Sequence, residues 1–80
     1  MPLEKYHHWL DAIETRDGRP AYLKIADLIE GDIEKGSLQA RDRLPPLRDL
    51  ARLLALNYTT VTRAYKEASN RGLIDSQPGS

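Results

Sequence analysis

The sequence contains no cysteine, which excludes a disulfide framework and a thiolate zinc site and suits a chain kept in a reducing cytoplasm. No apolar run approaches the roughly 18 residues of a membrane span, and no basic-then-apolar leader is visible. A soluble, cytoplasmic protein with no membrane partner is expected. Net charge is also missing: twelve basic side chains balance twelve acidic ones over 80 residues. Zero net charge by itself argues against a nucleic-acid partner, but its distribution argues the other way. Residues 1–37 hold five basic and eight acidic side chains, and residues 38–80 hold seven and four. Such polarity fits either two ordinary solvated surfaces or a positive face turned toward phosphate. A chain of this length makes one small domain, which buries about two-thirds of its unfolded surface.

What is present is mostly helical periodicity. Tyr6, Trp9, Leu10 and Ile13 recur at helical spacing and predict a helix over 2–14, with Pro2 in its first turn and a turn at Asp17-Gly18 after it. Tyr22, Ile25, Ala26, Ile29 and Ile33 predict a second helix over 20–35, opened by Pro20 and ended by Gly36. Asp27, Glu30, Asp32 and Glu34 are expected on its outer surface. Residues 37–46 break regular structure at Pro45-Pro46. In that connection Leu38 and Leu44 are expected to anchor to the core, and Arg41 and Arg43 to point to solvent. Leu47, Leu50, Ala51 and Leu54 then predict a short helix over 47–54, followed by a break at Ala55-Leu56. Asn57 is a good N-cap, its side-chain oxygen able to accept from the backbone N–H of Thr60. A helix over 58–71 follows, with Val61, Ala64, Tyr65 and Ala68 inward and Gly72 at its end. Leu73-Ile74 begin an extended segment, and Pro78-Gly79 make a turn.

Two short amphipathic helices joined by about three residues form the signature of a helix-turn-helix. In that arrangement the first helix braces the second so that its outward face can enter a major groove about 12 Å wide. Winding the 58–71 helix at about 100° per residue puts Thr59, Thr62, Arg63, Lys66 and Asn70 opposite the inward residues. These are hydroxyl, guanidinium, ammonium and amide groups with no carboxylate among them, suited to phosphates and base edges. Thr60 belongs with them as a candidate contact. Arg48, in the first turn of the preceding helix, is placed to meet phosphate, with a rim salt bridge to Asp49 or Asp42 as its alternative. Arg41 and Arg43 are weaker candidates of the same kind. The competing readings are a solvated surface helix and a protein-interaction module whose acidic, aromatic N-terminal helix is the working surface. Catalysis is not expected. His7 and His8 are adjacent, point about 100° apart on a helix and cannot chelate one metal, and no carboxylate pair, activated nucleophile or glycine-rich phosphate loop is visible.

These residues resemble the GntR-type winged helix-turn-helix. Leu44-Pro45-Pro46-Leu47-Arg48-Asp49-Leu50-Ala51 is similar to the family's entry to its second helix, and Asn57-Tyr58-Thr59-Thr60-Val61-Thr62-Arg63-Ala64-Tyr65 to its recognition helix. Gly72-Leu73-Ile74 with Pro78-Gly79-Ser80 resembles a first wing strand and wing tip, while Tyr22-Leu23-Lys24-Ile25-Ala26 and Gly36-Ser37-Leu38 resemble the first helix and its exit. The doubled proline, the Thr59-to-Tyr65 phrase, Glu67-Ala68, Arg71-Gly72-Leu73-Ile74 and the Trp9 segment resemble the MocR subfamily in particular.

The resemblance implies a mainly α, winged helix-turn-helix fold: a three-helix core, an N-terminal helix and a truncated wing. It divides the chain into a leader at 1–19 and a DNA-binding domain at 20–80. It further implies a double-stranded DNA operator, a homodimer, and a missing C-terminal domain of the aminotransferase class that holds pyridoxal 5′-phosphate. DNA contacts carried over by position fall on Arg48 for phosphate, on Thr59 and Thr62 along the helix face, and on Gly79 at the wing tip. Tyr58 stands where the family frequently has arginine or serine, and Thr62 where other branches often have arginine. Readout of guanine by a guanidinium therefore carries over to neither.

Overall fold

The alternation of apolar stripes and proline or glycine breaks produces four helices in the computed structural model, which describes residues 6–15, 17–38 and 44–74. They are α1 (His8–Glu14), α2 (Ala21–Lys35), α3 (Leu47–Leu54) and α4 (Tyr58–Asn70). No strand occurs among the described residues. The expected turn at Pro78-Gly79, and with it the wing, lies outside them, as do Arg41, Arg43 and Gly79.

α2 is the central brace. It packs most extensively against α4, while α3 packs on α4 and α1 lies across α2 and α3. Ile25 and Ile29 of α2, Leu50 of α3, and Val61 and Tyr65 of α4 are fully buried in one continuous core. Fully buried Ala26 on α2 and Ala64 and Ala68 on α4 leave little side-chain bulk between helices that pack together. Leu38 and Leu44 are buried at the two ends of the intervening connection, as their spacing predicts.

α1 begins later than expected. Tyr6 lies in a single tight turn ahead of the helix rather than within it. Residues three apart meet across such a turn as well as across a helix, and the Tyr6 and Trp9 rings pack edge to face at 5.0 Å. The helix is then fastened at both ends. The Trp9 indole N–H donates to Asp32 Oδ2 at 2.9 Å, and the His8 Nε2 lies 2.9 Å from the same oxygen. Asp32 is therefore buried, not on the outer surface of α2, because the buried indole N–H requires an acceptor. His8, expected as a solvated histidine, is exposed but partnered. At the other end, the Lys24 ammonium donates to the carbonyls of Ile13 and Thr15 and pairs with Asp17. Carbonyls at a helix C-terminus, which lack helical partners, are met in this way by a cation. The carboxyl of Asp17 is held below its usual range by the Arg19 backbone N–H and by Lys24.

Each remaining helix ends in a left-handed residue. Gly36 does so at φ 85° after α2. After α3 the role falls to Ala55 at φ 56°, where the Leu56 N–H reaches the Ala51 carbonyl at 2.9 Å and the Ala55 N–H reaches that of Arg52 at 3.3 Å. The same pair of bonds closes α4: Leu73 N–H to Ala68 at 2.9 Å and Gly72 N–H to Ser69 at 3.0 Å, with Gly72 at φ 76°. Both are Schellman closures. α4 stops one residue short of the expected end, and Leu73 and Ile74 form a bend with Ile74 buried, rather than the start of a strand.

Candidate nucleic-acid interface

α3 and α4 meet through the break at 55–57, and beside their apolar packing one buried hydrogen bond ties them together. The Tyr65 hydroxyl donates to the Pro45 carbonyl at 2.8 Å, tying the middle of α4 to the chain just before α3. Pro46 occupies the N-cap of α3. Burial pushes the Tyr65 hydroxyl far above the ordinary tyrosine range, so it stays a donor.

Asn57 is the N-cap of α4 with extended dihedrals, yet its side chain makes no cap hydrogen bond. Its backbone carbonyl takes the donors instead, at 3.0 Å from Thr60 N and 3.3 Å from Val61 N. The expected side-chain acceptor is displaced because that carbonyl already satisfies the Thr60 N–H. The amide of Asn57 is left exposed.

Along α4, Thr59, Arg63, Lys66 and Asn70 are exposed, in agreement with the outward face wound from sequence, while Thr62 of that face and Thr60 are half-buried. Among the described residues, no other element covers Thr59 or Lys66. Thr62 Oγ1 donates back to the Tyr58 carbonyl at 3.0 Å. The guanidinium of Arg63 is stacked over Tyr22 of α2, 4.3 Å from the ring centre, so this cation is exposed but pre-positioned. Arg48 is exposed on α3 with its guanidinium 6.0 Å from the centre of the Tyr58 ring. It makes no ion pair with Asp49. Among the described residues neither Arg48 nor Lys66 has a carboxylate partner.

The one carboxylate of α4, Glu67, is turned away from this strip and bound by Arg71 Nε at 2.9 Å. Arg71 Nη1 also reaches Asp27 at 2.9 Å and Glu30 at 3.1 Å on α2. These carboxylates, Asp27 foremost and then Glu67, hold the Arg71 guanidinium still more firmly protonated than an ordinary arginine. What remains on the open side is, among the described residues, a strip of cations, hydroxyls and amides with no free acid, borne by a helix that packs on α2 and α3.

Of two further members of this surface, Arg52 was missed by sequence reasoning and Tyr58 was set aside as a departure from the family pattern. Arg52 is exposed on α3 one turn beyond Arg48, a spacing that puts both on one face. Tyr58 is exposed at the first residue of α4. Its spacing from Val61 and Tyr65 suggests an inward ring, but at the end of the helix too little chain is left to cover it.

Residues 21–80 match the family described as bacterial regulatory proteins, gntR family. The chain is similar to an uncharacterized HTH-type transcriptional regulator YdeF of Bacillus subtilis, 33% identical over 84 residues, which covers 100% of this chain and 18% of the relative. It is 34% identical over 67 residues to the HTH-type transcriptional repressor YtrA of the same organism, covering 84% of this chain and 52% of the relative. It is 45% identical over 60 residues to the vitamin B6 salvage pathway transcriptional repressor PtsJ of Salmonella typhimurium, covering 75% of this chain and 14% of the relative. The chain thus spans about half the length of one of these relatives and under a fifth of the other two. No solved structure matches it.

Proposed function

This chain belongs to the gntR family of bacterial regulatory proteins, and from that premise we propose that α4 enters the major groove of an operator while α3 rests on the phosphate backbone. The chain is a DNA-binding helix-turn-helix domain of a transcription regulator rather than an enzyme. Thr59, Thr60, Thr62 and Arg63 face base edges, and Arg48 and Lys66 meet phosphates. Arg41, Arg43 and Gly79 belong to the proposed contact set on sequence grounds alone. The observation that carries this reading is the exposed strip of α4, from which the only carboxylate of the helix has been withdrawn by Arg71.

The remainder of the regulator is proposed from resemblance. Residues 1–19 form a leader and residues 20–80 the reading domain of a cytoplasmic homodimer of the MocR branch, each head on one half-site. No helix among the described residues is long and apolar enough to cross a membrane. The similarity to YdeF and PtsJ, both several times longer than this chain, supports a large further domain, and the vitamin B6 pathway in the name of PtsJ supports pyridoxal 5′-phosphate as its ligand. Among the described residues, the cleft between α1 and α2 does not fit that cofactor. It is shallow, and its lysine, Lys24, is already tied to Thr15, Ile13 and Asp17. The similarity to YtrA favours a second reading, a shorter regulator of another branch with a different effector domain. The mass of the full-length product, together with the presence or absence of a bound pyridoxal chromophore, separates the two.

Anisotropy of a fluorescent promoter duplex across a salt series tests the DNA assignment. The wild-type chain is expected to lose affinity steeply as salt rises, and the Arg48→Ala/Thr59→Ala variant to bind more weakly with a slope flatter by about one. Equal affinity and slope for the two proteins would remove these residues from the interface.

A further inference from the structure

Phosphate neutralisation makes no use of the ring at the head of α4. Tyr58 is the exposed large apolar side chain among the described residues, at 39% exposure, while Tyr6, Tyr22 and Tyr65 are buried or half-buried. A lone exposed aromatic is ordinary, but this one has a particular setting. The Arg48 guanidinium lies over the ring from α3 at 6.0 Å. One turn along α4, the Thr62 hydroxyl donates to the carbonyl of Tyr58 itself at 3.0 Å. With its hydroxyl hydrogen held on that carbonyl, half-buried Thr62 has its methyl group as the apolar part of its side chain. Residues four apart share a helix face, so the ring of Tyr58 and the methyl of Thr62 make a short apolar stripe. It borders the strip of Thr59, Lys66 and Asn70 on the side nearer α3.

On the edge of a base pair in the major groove, one group is apolar: the methyl at C5 of thymine, or of a methylated cytosine. We propose that Tyr58 and Thr62 are a specificity-determining pair that reads adjacent 5-methylpyrimidines by apolar contact, with Arg48 steadying the ring while it meets the neighbouring phosphate. This deepens the DNA assignment and rests on α4 occupying the major groove.

The test begins with duplexes selected by the chain from a random-sequence pool. In the enriched site each thymine is replaced singly by uracil, which deletes the methyl and nothing else, and affinity is measured by anisotropy. Wild-type binding is expected to fall by about fourfold at one or two adjacent positions, the scale of one buried methyl group. Placing cytosine and then 5-methylcytosine at those positions is expected to lose and partly regain affinity. The Tyr58→Ala/Thr62→Ser variant keeps a hydroxyl at 62 and is expected to be indifferent to uracil at those positions. A wild-type protein unaffected by uracil at every thymine overturns the proposal without recourse to any variant, as does an enriched site without thymine. A variant that keeps the full uracil penalty overturns it too. If the wild-type chain enriches no sequence and shows no salt-dependent binding, the DNA assignment fails and this inference with it.

Discussion

The two ends of α4 carry similar side chains and treat them in opposite ways. At the C-terminal end Arg71 is bound by Asp27, Glu30 and Glu67, and Gly72 closes the helix in a left-handed turn. At the N-terminal end the Asn57 side chain caps nothing, Tyr58 is exposed, and Arg48 beside it has no acid partner among the described residues. One end is therefore internally neutralised and structural, while the other leaves its polar groups open to a partner. The contrast shows why a count of basic residues is a poor guide to an interface. Arg71 belongs to the basic half of the chain, yet its charge is matched largely by the acidic half.

Substitutions can break or sharpen this contrast. The largest effect is expected at the joint between the ends. Tyr65→Phe removes the donor to the buried Pro45 carbonyl and is expected to cost about 1–3 kcal/mol of stability by denaturant titration. The same variant has a pH signature. Because the folded state holds the Tyr65 proton more tightly than the unfolded chain, that contribution is complete below the ordinary tyrosine value of about 10 and declines as pH rises beyond it. The phenylalanine variant is expected to lose less stability than wild type over that alkaline range; parallel curves would remove the buried hydroxyl as the cause.

Next in size is a paired comparison. Arg71→Ala is expected to cost about 1 kcal/mol, since its ion pairs are partly exposed and screened by water, with no change in the salt slope of DNA binding. Lys66→Ala is expected to do the reverse, leaving stability within about 0.5 kcal/mol and flattening the slope by about one. A flattened slope from Arg71→Ala would erase the distinction between the ends. The smallest effect is expected at the turn. Ala55→Gly relieves a left-handed alanine and is expected to raise stability by about 0.5 kcal/mol, the strain relieved less the added freedom of the unfolded chain. A lower denaturation midpoint would mean that Ala55 is not strained there.

Helix positions were legible in the sequence because the inward residues repeat at 3.6 and the breaks fall on proline, glycine and asparagine. The strip of Thr59, Arg63 and Lys66 was legible for the same reason, being what is left once Val61, Ala64, Tyr65 and Ala68 are buried. What periodicity could not supply were contacts across the chain. Asp32 reads as an outward acid until the indole N–H of Trp9, 23 residues away, claims it. Glu67 and Arg71 are a visible pair four apart, but the Asp27 and Glu30 bonds span more than 40 residues. At Tyr58 the period points inward and position at a helix end prevails. At Asn57 a local rule gave way to a competing backbone carbonyl.

The indole of Trp9, the single tryptophan of the chain, is fully buried and hydrogen-bonded to a carboxylate on α2. Its fluorescence therefore senses whether α1 is seated on α2. Monitored beside the far-ultraviolet helical signal during denaturation, that emission resolves release of the leader from melting of the rest. The protein thus contains its own spectroscopic gauge of how firmly its first helix is attached.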